Sequence, residues 1–262
     1  MLTVPIRAVV FDMGGTLEEL YYDDAVRLEA TRGLRELLRR LGLDPGLSVP
    51  ELKATVLRGM GRYQAWREET ELELSPERAW TEYVLPDQGV PRERLAAAAE
   101  EIAFFYETHF YVRRLRPEAP AALEALLRVG FRLAIISNIT SRRVVPALLQ
   151  GYGLAGRFNP VVTSAQFGRR KPAPQIFLEA ARLMDLPPAA CAYVGDTVSR
   201  DVMGARRAAY GRAIQIRSFL TDKVDPPARA GSEGMMVPDA VVGNLMEVLP
   251  AVRNGRETDH GV

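Results

Sequence analysis

Cysteine occurs once in the 262 residues, as Cys191, so the chain forms no internal disulfide, in keeping with a reducing compartment. Lysine is almost as scarce. It stands only at positions 53, 171 and 223, and arginine supplies the other basic residues. A GC-rich coding sequence would account for that bias, yet the scarcity makes the place of each lysine informative. No run approaches the roughly 18 apolar residues of a membrane span. The opening MLTVPIRAVVFD has no basic start, long apolar stretch or small-residue cleavage site. Net charge is only +1, which gives no reason to expect a nucleic-acid or anionic-membrane partner. The expectation is a soluble, cytoplasmic protein whose oligomeric state the sequence leaves open.

What is present is core-forming. Hydrophobic residues make up 47% of the chain, enough for one or two domains. Residues 6–11, IRAVVF, read as a fully buried parallel strand ended by Gly14 and Gly15. A helix is expected over 23–42, where Leu34, Leu37, Leu38 and Leu41 share a face and Gly42 stops it. Further helices are expected near 50–66, 75–85 and 91–108, with Ser75 as N-cap and Pro76 and Pro91 at first turns. No strand pattern interrupts this stretch. From 117 onward the pattern alternates: helix 117–129, strand 131–137, helix 141–150, strand 161–164, helix 173–184, strand 191–196, helix 198–209, strand 213–217, strand 239–242 and helix 243–252. Alternation of this kind implies βαβ units. The fold class expected is α/β, a Rossmann-like parallel sheet with helices on both faces and an inserted all-helical domain. Its core is 1–17 and 112–252, its helical insert 18–111, and 253–262 a polar, loose tail.

Ligands of such sheets bind at the carboxyl ends of the strands. The first strand ends in Asp12, followed by Met13, Gly14, Gly15 and Thr16. The second ends in Ser137 and Asn138. GRRKPAPQIF follows the third and carries Lys171. The fourth ends in VGDTVSRD, with Asp196 and Asp201. Any one of these is ordinarily a cap, a turn residue or a solvated side chain. In consecutive order they converge on one chemistry. Carboxylates crowded on one edge repel unless a cation lies among them, and hard oxygen ligands without His or Cys suit Mg²⁺. A phosphate would bridge that ion and the serine hydroxyl, with the Lys171 ammonium neutralising an oxygen. Asp12 would attack phosphorus as a carboxylate nucleophile, and the glycines would admit backbone N–H groups to the phosphate.

These four segments, FDMGGTL, IISN, RRKPAPQIF and VGDTVSRDVMGA, resemble the motifs of the haloacid dehalogenase superfamily, most of whose members are phosphatases. The resemblance covers about 5–17 and 112–250, and the helical insert falls where that family places its cap domain. It implies Asp12 as nucleophile and metal ligand and the Gly14 carbonyl as a second ligand. It implies Asp196 as a direct Mg²⁺ ligand and Asp201 as one acting through water or by orienting its neighbours. Ser137 and Lys171 would bind the phosphoryl group, with Asn138, Gly15 and Thr16 in support. The substrate implied is a small phosphorylated metabolite.

The sequence departs from the family at one place. Phosphatases of this family carry a second aspartate two residues after the nucleophile, as general acid/base, and here that residue is Gly14. Glu18, Glu19, Tyr21, Tyr22 or Asp23 would have to substitute, or the substrate would have to carry a good leaving group. The dehalogenase branch also lacks this acid, but it needs no metal and lacks the GD pattern. A phosphonate hydrolase needs a cap lysine, and only Lys53 is there. A weak phosphate- or partner-binding pseudoenzyme is the remaining alternative. His109 reads as an interface or surface residue, Cys191 as inert core, and Arg200 as a partner for a nearby carboxylate.

Overall fold

The computed structural model describes residues 4–86, 89–219, 221 and 233–253. Strand β1 (Ala8–Phe11) leads into β2 (Glu18–Tyr21). Helices α1 (Asp24–Arg40), α2 (Val49–Thr70), α3 (Pro76–Arg78) and α4 (Arg92–His109) follow, with a π-helical turn at Ala79–Val84 after α3. The chain returns through β3 (Val112–Leu115) to α5 (Ala119–Arg128), β4 (Arg132–Ser137), α6 (Val144–Gly151) and β5 (Val161–Thr163). Helices α7 (Ser164–Phe167) and α8 (Pro174–Leu183), β6 (Cys191–Gly195), α9 (Met203–Arg207), β7 (Arg212–Ile216), β8 (Ala240–Val242) and α10 (Val248–Arg253) complete it.

The main sheet has six strands in the order β5-β4-β1-β6-β7-β8, and every pairing is parallel. Its faces follow the two-residue period of a strand. Val9, Phe11, Leu133, Ile135 and Val194 pack with α5, α6 and α10. Ala8, Val10, Ala134, Ile136 and Tyr193 face the opposite way, against Ile176 and Phe177 of α8 and Ala205 of α9. The sheet is apolar on both sides because helices cover both. A separate cluster, including Leu34, Leu38, Leu52, Val56, Trp80 and Ile102, fills the helical region.

Three expectations are revised. Segment 18–111 is not free of strands: β2 pairs antiparallel with β3, Glu18 opposite Leu115 and Tyr21 opposite Val112. The ribbon hides in the sequence because its buried side mixes a charge, Glu18, with a single apolar residue of β2, Leu20. Glu18 is fully buried, between Arg113 Nη1 at 2.7 Å and the Tyr152 hydroxyl at 2.6 Å. Segment 198–209 opens with a π-helical turn, Val198–Val202, before α9. Segment 243–252 opens with a 3₁₀ turn, Leu245–Glu247, before α10. The 253–262 tail, apart from Arg253, lies outside the described residues. No helix among those described is long and apolar enough to cross a membrane.

Candidate active site

Parallel pairing brings the carboxyl ends of β1, β4 and β6 to one edge. Asp12 follows β1, Ser137 ends β4, and Asp196 follows β6. Asp201 lies one turn further, in the π-helical segment. One oxygen from each of Asp12, Asp196 and Asp201 lies within 4.8 Å of the others, and all three residues are buried. Lys171 Nζ stands 2.7 Å from Asp12 Oδ1 and 2.7 Å from Asp201 Oδ1. It also donates to the Tyr193 hydroxyl at 2.9 Å.

Each group is held by its neighbours. Asn138 Nδ2 donates to the Lys171 carbonyl at 3.0 Å and its Oδ1 accepts from the Lys171 N–H at 2.9 Å. Its amide therefore fixes the loop that delivers the ammonium. Asp201 Oδ2 accepts from the Thr197 N–H at 3.0 Å and the Thr197 hydroxyl at 2.6 Å, while Oδ1 takes Lys171 and Tyr193. Asp196 Oδ2 accepts from the Ser218 hydroxyl at 2.6 Å. Gly15 is required beneath it, since φ is +84° and a Cβ there would lie 2.1 Å from Asp196 Oδ2. Thr16 is buried, and its hydroxyl has no partner among the described residues. Gly15 and Thr16 lie outside the cleft lining; Asp12, Gly14, Ser137, Asn138, Lys171, Asp196 and Asp201 all belong to it.

Burial, first, and mutual repulsion push the carboxyls up. Asp12 is raised to about 6, burial outweighing the opposing pull of Lys171. Asp196 is raised to about 7 by burial and by the charges of Asp201 and Asp12. Burial acts on Asp201 too, but Lys171 and the Thr197 hydroxyl hold that carboxyl below its ordinary value. Once all three are ionised, three carboxylates against one ammonium leave two negative charges in a buried, all-oxygen donor set without His or Cys. That charge and those donors fit a divalent cation of the hard class.

The cleft above this edge encloses about 520 Å³ and is walled on its far side by Tyr22, Arg27, Met60, Arg67, Glu107 and Tyr111. The groups considered as substitutes for the missing acid fall elsewhere, Tyr22 excepted. Glu18 is locked in its ion pair, Glu19 is exposed, and Asp23 caps α1 by accepting from the Val26 N–H at 2.8 Å, with the Tyr21 hydroxyl on its other oxygen. Lys53 pairs with Asp24 at 2.5 Å outside the lining, away from any position for a Schiff base in the cleft. His109 stacks on Phe105, with ring centroids 3.9 Å apart. Cys191 is buried, which pushes its thiol up to about 11. Arg200 lines the cleft and donates to the Thr197 hydroxyl at 3.4 Å.

Sequence reasoning missed two features. One is Tyr193, whose hydroxyl joins Lys171 to Asp201; a tyrosine within a buried apolar strand was the available signal, because its hydroxyl needs a partner. The other is a clasp beside Lys171. Arg170 Nη1 lies 2.8 Å from Glu73 Oε2, and Glu73 also accepts from the Ser164 hydroxyl at 2.8 Å and the Tyr63 hydroxyl at 2.5 Å. Nothing local in the sequence marks a pairing across almost a hundred residues.

The family model for haloacid dehalogenase-like hydrolases matches residues 6–209. The chain belongs to that family, and it is a hydrolase. It is 28% identical over 248 residues to the glyceraldehyde 3-phosphate phosphatase of Methanopyrus kandleri, covering 95% of this chain and 97% of the relative. It is 37% identical over 179 residues to the phosphoserine phosphatase of Thermus thermophilus (67% and 64%) and 28% identical over 215 residues to the phosphoglycolate phosphatase of Aquifex aeolicus (82% and 87%). In fold it is similar to a 2-haloacid dehalogenase from Pseudomonas syringae, with a TM-score of 0.64 at 24% identity over 95% of this chain and 99% of that one. It is also similar to a phosphatase from Thermococcus onnurineus, at 0.57 and 21% over 94% and 97%.

Proposed function

We propose that this hydrolase is a Mg²⁺-dependent phosphatase of a small phosphorylated metabolite and works through an aspartyl-phosphate on Asp12. The observation that carries this reading is Asp12 at the strand edge with Lys171, Asp196 and Asp201 around it. Asp12, Asp196 and the Gly14 carbonyl would hold the ion, with Asp201 orienting the site. When bound, Mg²⁺ would neutralise the carboxylates and the phosphoryl oxygens.

Asp12 supplies the carboxylate oxygen that bonds to phosphorus, and the ester C–O–P bond of the substrate breaks on the side of phosphorus. Lys171 balances charge on the transferring group, and the Ser137 hydroxyl donates to it. The alcohol leaves with the bonding electron pair and takes its proton from solvent, since Gly14 supplies none. Water then attacks phosphorus, restores the Asp12 carboxylate and releases inorganic phosphate. The helical segment 18–111 acts as the cap that closes over these events and selects the substrate.

A screen of phosphorylated metabolites and aryl phosphates, with and without Mg²⁺, tests the reading. Wild type should turn over p-nitrophenyl phosphate with Mg²⁺ and stop in chelator. Asp12→Asn should fold normally and retain less than a few per cent of the rate, because an amide forms no phosphoryl ester. Full activity in chelator, with release of halide from a 2-haloacid, would establish the dehalogenase reading instead.

A further inference from the structure

The cations around the cleft nearly all have an internal anion. Lys171 pairs with Asp12 and Asp201, Arg113 with Glu18 and Glu107, and Arg67 and Arg170 with Glu73. Arg200 forms no ion pair among the described residues, but it donates to the Thr197 hydroxyl at 3.4 Å, and its charge lowers the Asp196 and Asp201 carboxyls. Arg27, in the first turns of α1, has neither an ion pair nor a guanidinium hydrogen bond among the described residues. It lines the same cleft as Asp12. Its Nε is shut off from water with no hydrogen-bond partner, and no carboxylate among the described residues pairs with it. The two cap carboxylates of the cleft are engaged elsewhere: Glu107 accepts from the Thr140 N–H at 3.1 Å and pairs with Arg113, and Glu68 accepts from Gln64.

Only that one donor is sealed: Arg27 is half-buried, and its Nη groups are neither shut off from water nor hydrogen-bonded among the described residues. The side chain is held in place. The guanidinium carbon lies 4.0 Å from the centre of the Tyr22 ring, a stacked cation–π arrangement. An anion binding at the Nη groups would gain charge-assisted hydrogen bonds with little loss of side-chain freedom. The planar fork suits a carboxylate, and one unpaired positive charge matches a monoanion better than a second phosphoryl dianion.

We propose that Arg27 determines specificity by binding a carboxylate on the substrate, so that the metabolite is a short phosphorylated carboxylic acid. The proposal rests on the phosphatase reading, which supplies the other anchor, the phosphoryl site at Asp12.

The test uses phosphonates, which bind without turnover. Affinities of short ω-carboxyalkylphosphonates, of alkylphosphonates of matched length and of bisphosphonates are measured calorimetrically with Mg²⁺, for wild type, Arg27→Gln and Arg27→Lys. In wild type the carboxylate should improve binding about tenfold or more over the matched alkyl compound. In Arg27→Gln that ratio should collapse towards one, and Arg27→Lys should recover only part of it, since an ammonium lacks the fork. A ratio unchanged in Arg27→Gln, with both affinities lowered in parallel or not at all, overturns the proposal. So does a wild type that favours the bisphosphonates. Failure of every phosphonate to bind with Mg²⁺ sinks the phosphatase reading itself, and this proposal with it.

Discussion

Gly14 is the residue on which the chemistry turns. A general acid is typically worth about 10²–10⁴-fold. Without one, the wild-type rate should depend steeply on leaving-group acidity, and aryl and acyl phosphates should far outpace sugar phosphates. Gly14→Asp should flatten that dependence and speed alkyl phosphates most. The surroundings limit the gain. A Cβ at position 14 would stand 2.7 Å from Leu20 Cδ1, a side-chain tip that can shift, and 3.7 Å from Arg113 Nη1. That guanidinium would favour the ionised carboxylate, which opposes its service as an acid. The gain on alkyl phosphates should therefore fall short of the range above. Rates for a series of phenyl phosphates, plotted against phenol acidity, check both points. A flat wild-type plot would mean that another group donates the proton.

At the scale of elements, two of the connections between the helical region and the sheet were hidden in the sequence. One is the β2–β3 ribbon. The other is the short run after α2, where the Glu73 N–H donates to the Gly168 carbonyl at 3.0 Å and the Arg170 N–H to the Glu71 carbonyl at 3.1 Å, with Glu73–Arg170 buried behind them. Removing one partner of a buried ion pair strands the other, at about 3–5 kcal/mol. Glu73→Gln should thus lower the melting temperature sharply, since its amide still accepts from Tyr63 and Ser164 but leaves the Arg170 and Arg67 guanidiniums without their anion. Arg170→Met should cost less, because Glu73 keeps Arg67 and both hydroxyls. Replacing both, as Glu73→Gln with Arg170→Met, should be less harmful than the sum of the single changes. Thermal unfolding of the three variants measures this, and a double variant as unstable as the sum of its parts would show that the pair is not coupled. The sequence disclosed the helices of this region through their apolar spacing and caps, Ser75 accepting from the Arg78 N–H among them. It hid both connections, because each depends on buried charge and not on apolar pattern.

For the whole molecule, charge at the strand edge links metal, pH and stability. The Asp12 and Asp196 carboxyls titrate at about 6 and about 7 in the fold without metal, against 3.8 for the ordinary group. The folded state therefore holds protons that the unfolded chain has released. The stability this gives is fully present below about pH 4 and is lost as pH rises through about 6 to 7. Asp201, held below its ordinary value, stays charged through that window and adds no slope there. In chelator, the melting temperature should fall between pH 5 and 8 for this reason. Mg²⁺ should raise it more at pH 8 than at pH 5, since only the ionised carboxyls bind metal. Asp196→Asn should flatten the dependence in chelator and weaken the response to Mg²⁺. Calorimetric scans at several pH values decide it, and a melting temperature that rises with pH in chelator would contradict the assignment.

The sequence by itself determined the α/β core, because each strand and helix carries its own apolar period and stop signals. It also determined which residues meet at the sheet edge, because parallel strands place their carboxyl ends together whatever surrounds them. Asp12, Ser137, Lys171, Asp196 and Asp201 were legible for that reason. Only the tertiary structure decided that Glu18 is buried against Arg113 and not available to the substrate, that Glu73 clasps Arg170, and that Arg27 lines the cleft on Tyr22 with no carboxylate partner among the described residues. Those facts depend on contacts between residues far apart in the chain, where the pairing of a charge is set by what folds against it and leaves no period or spacing in the sequence.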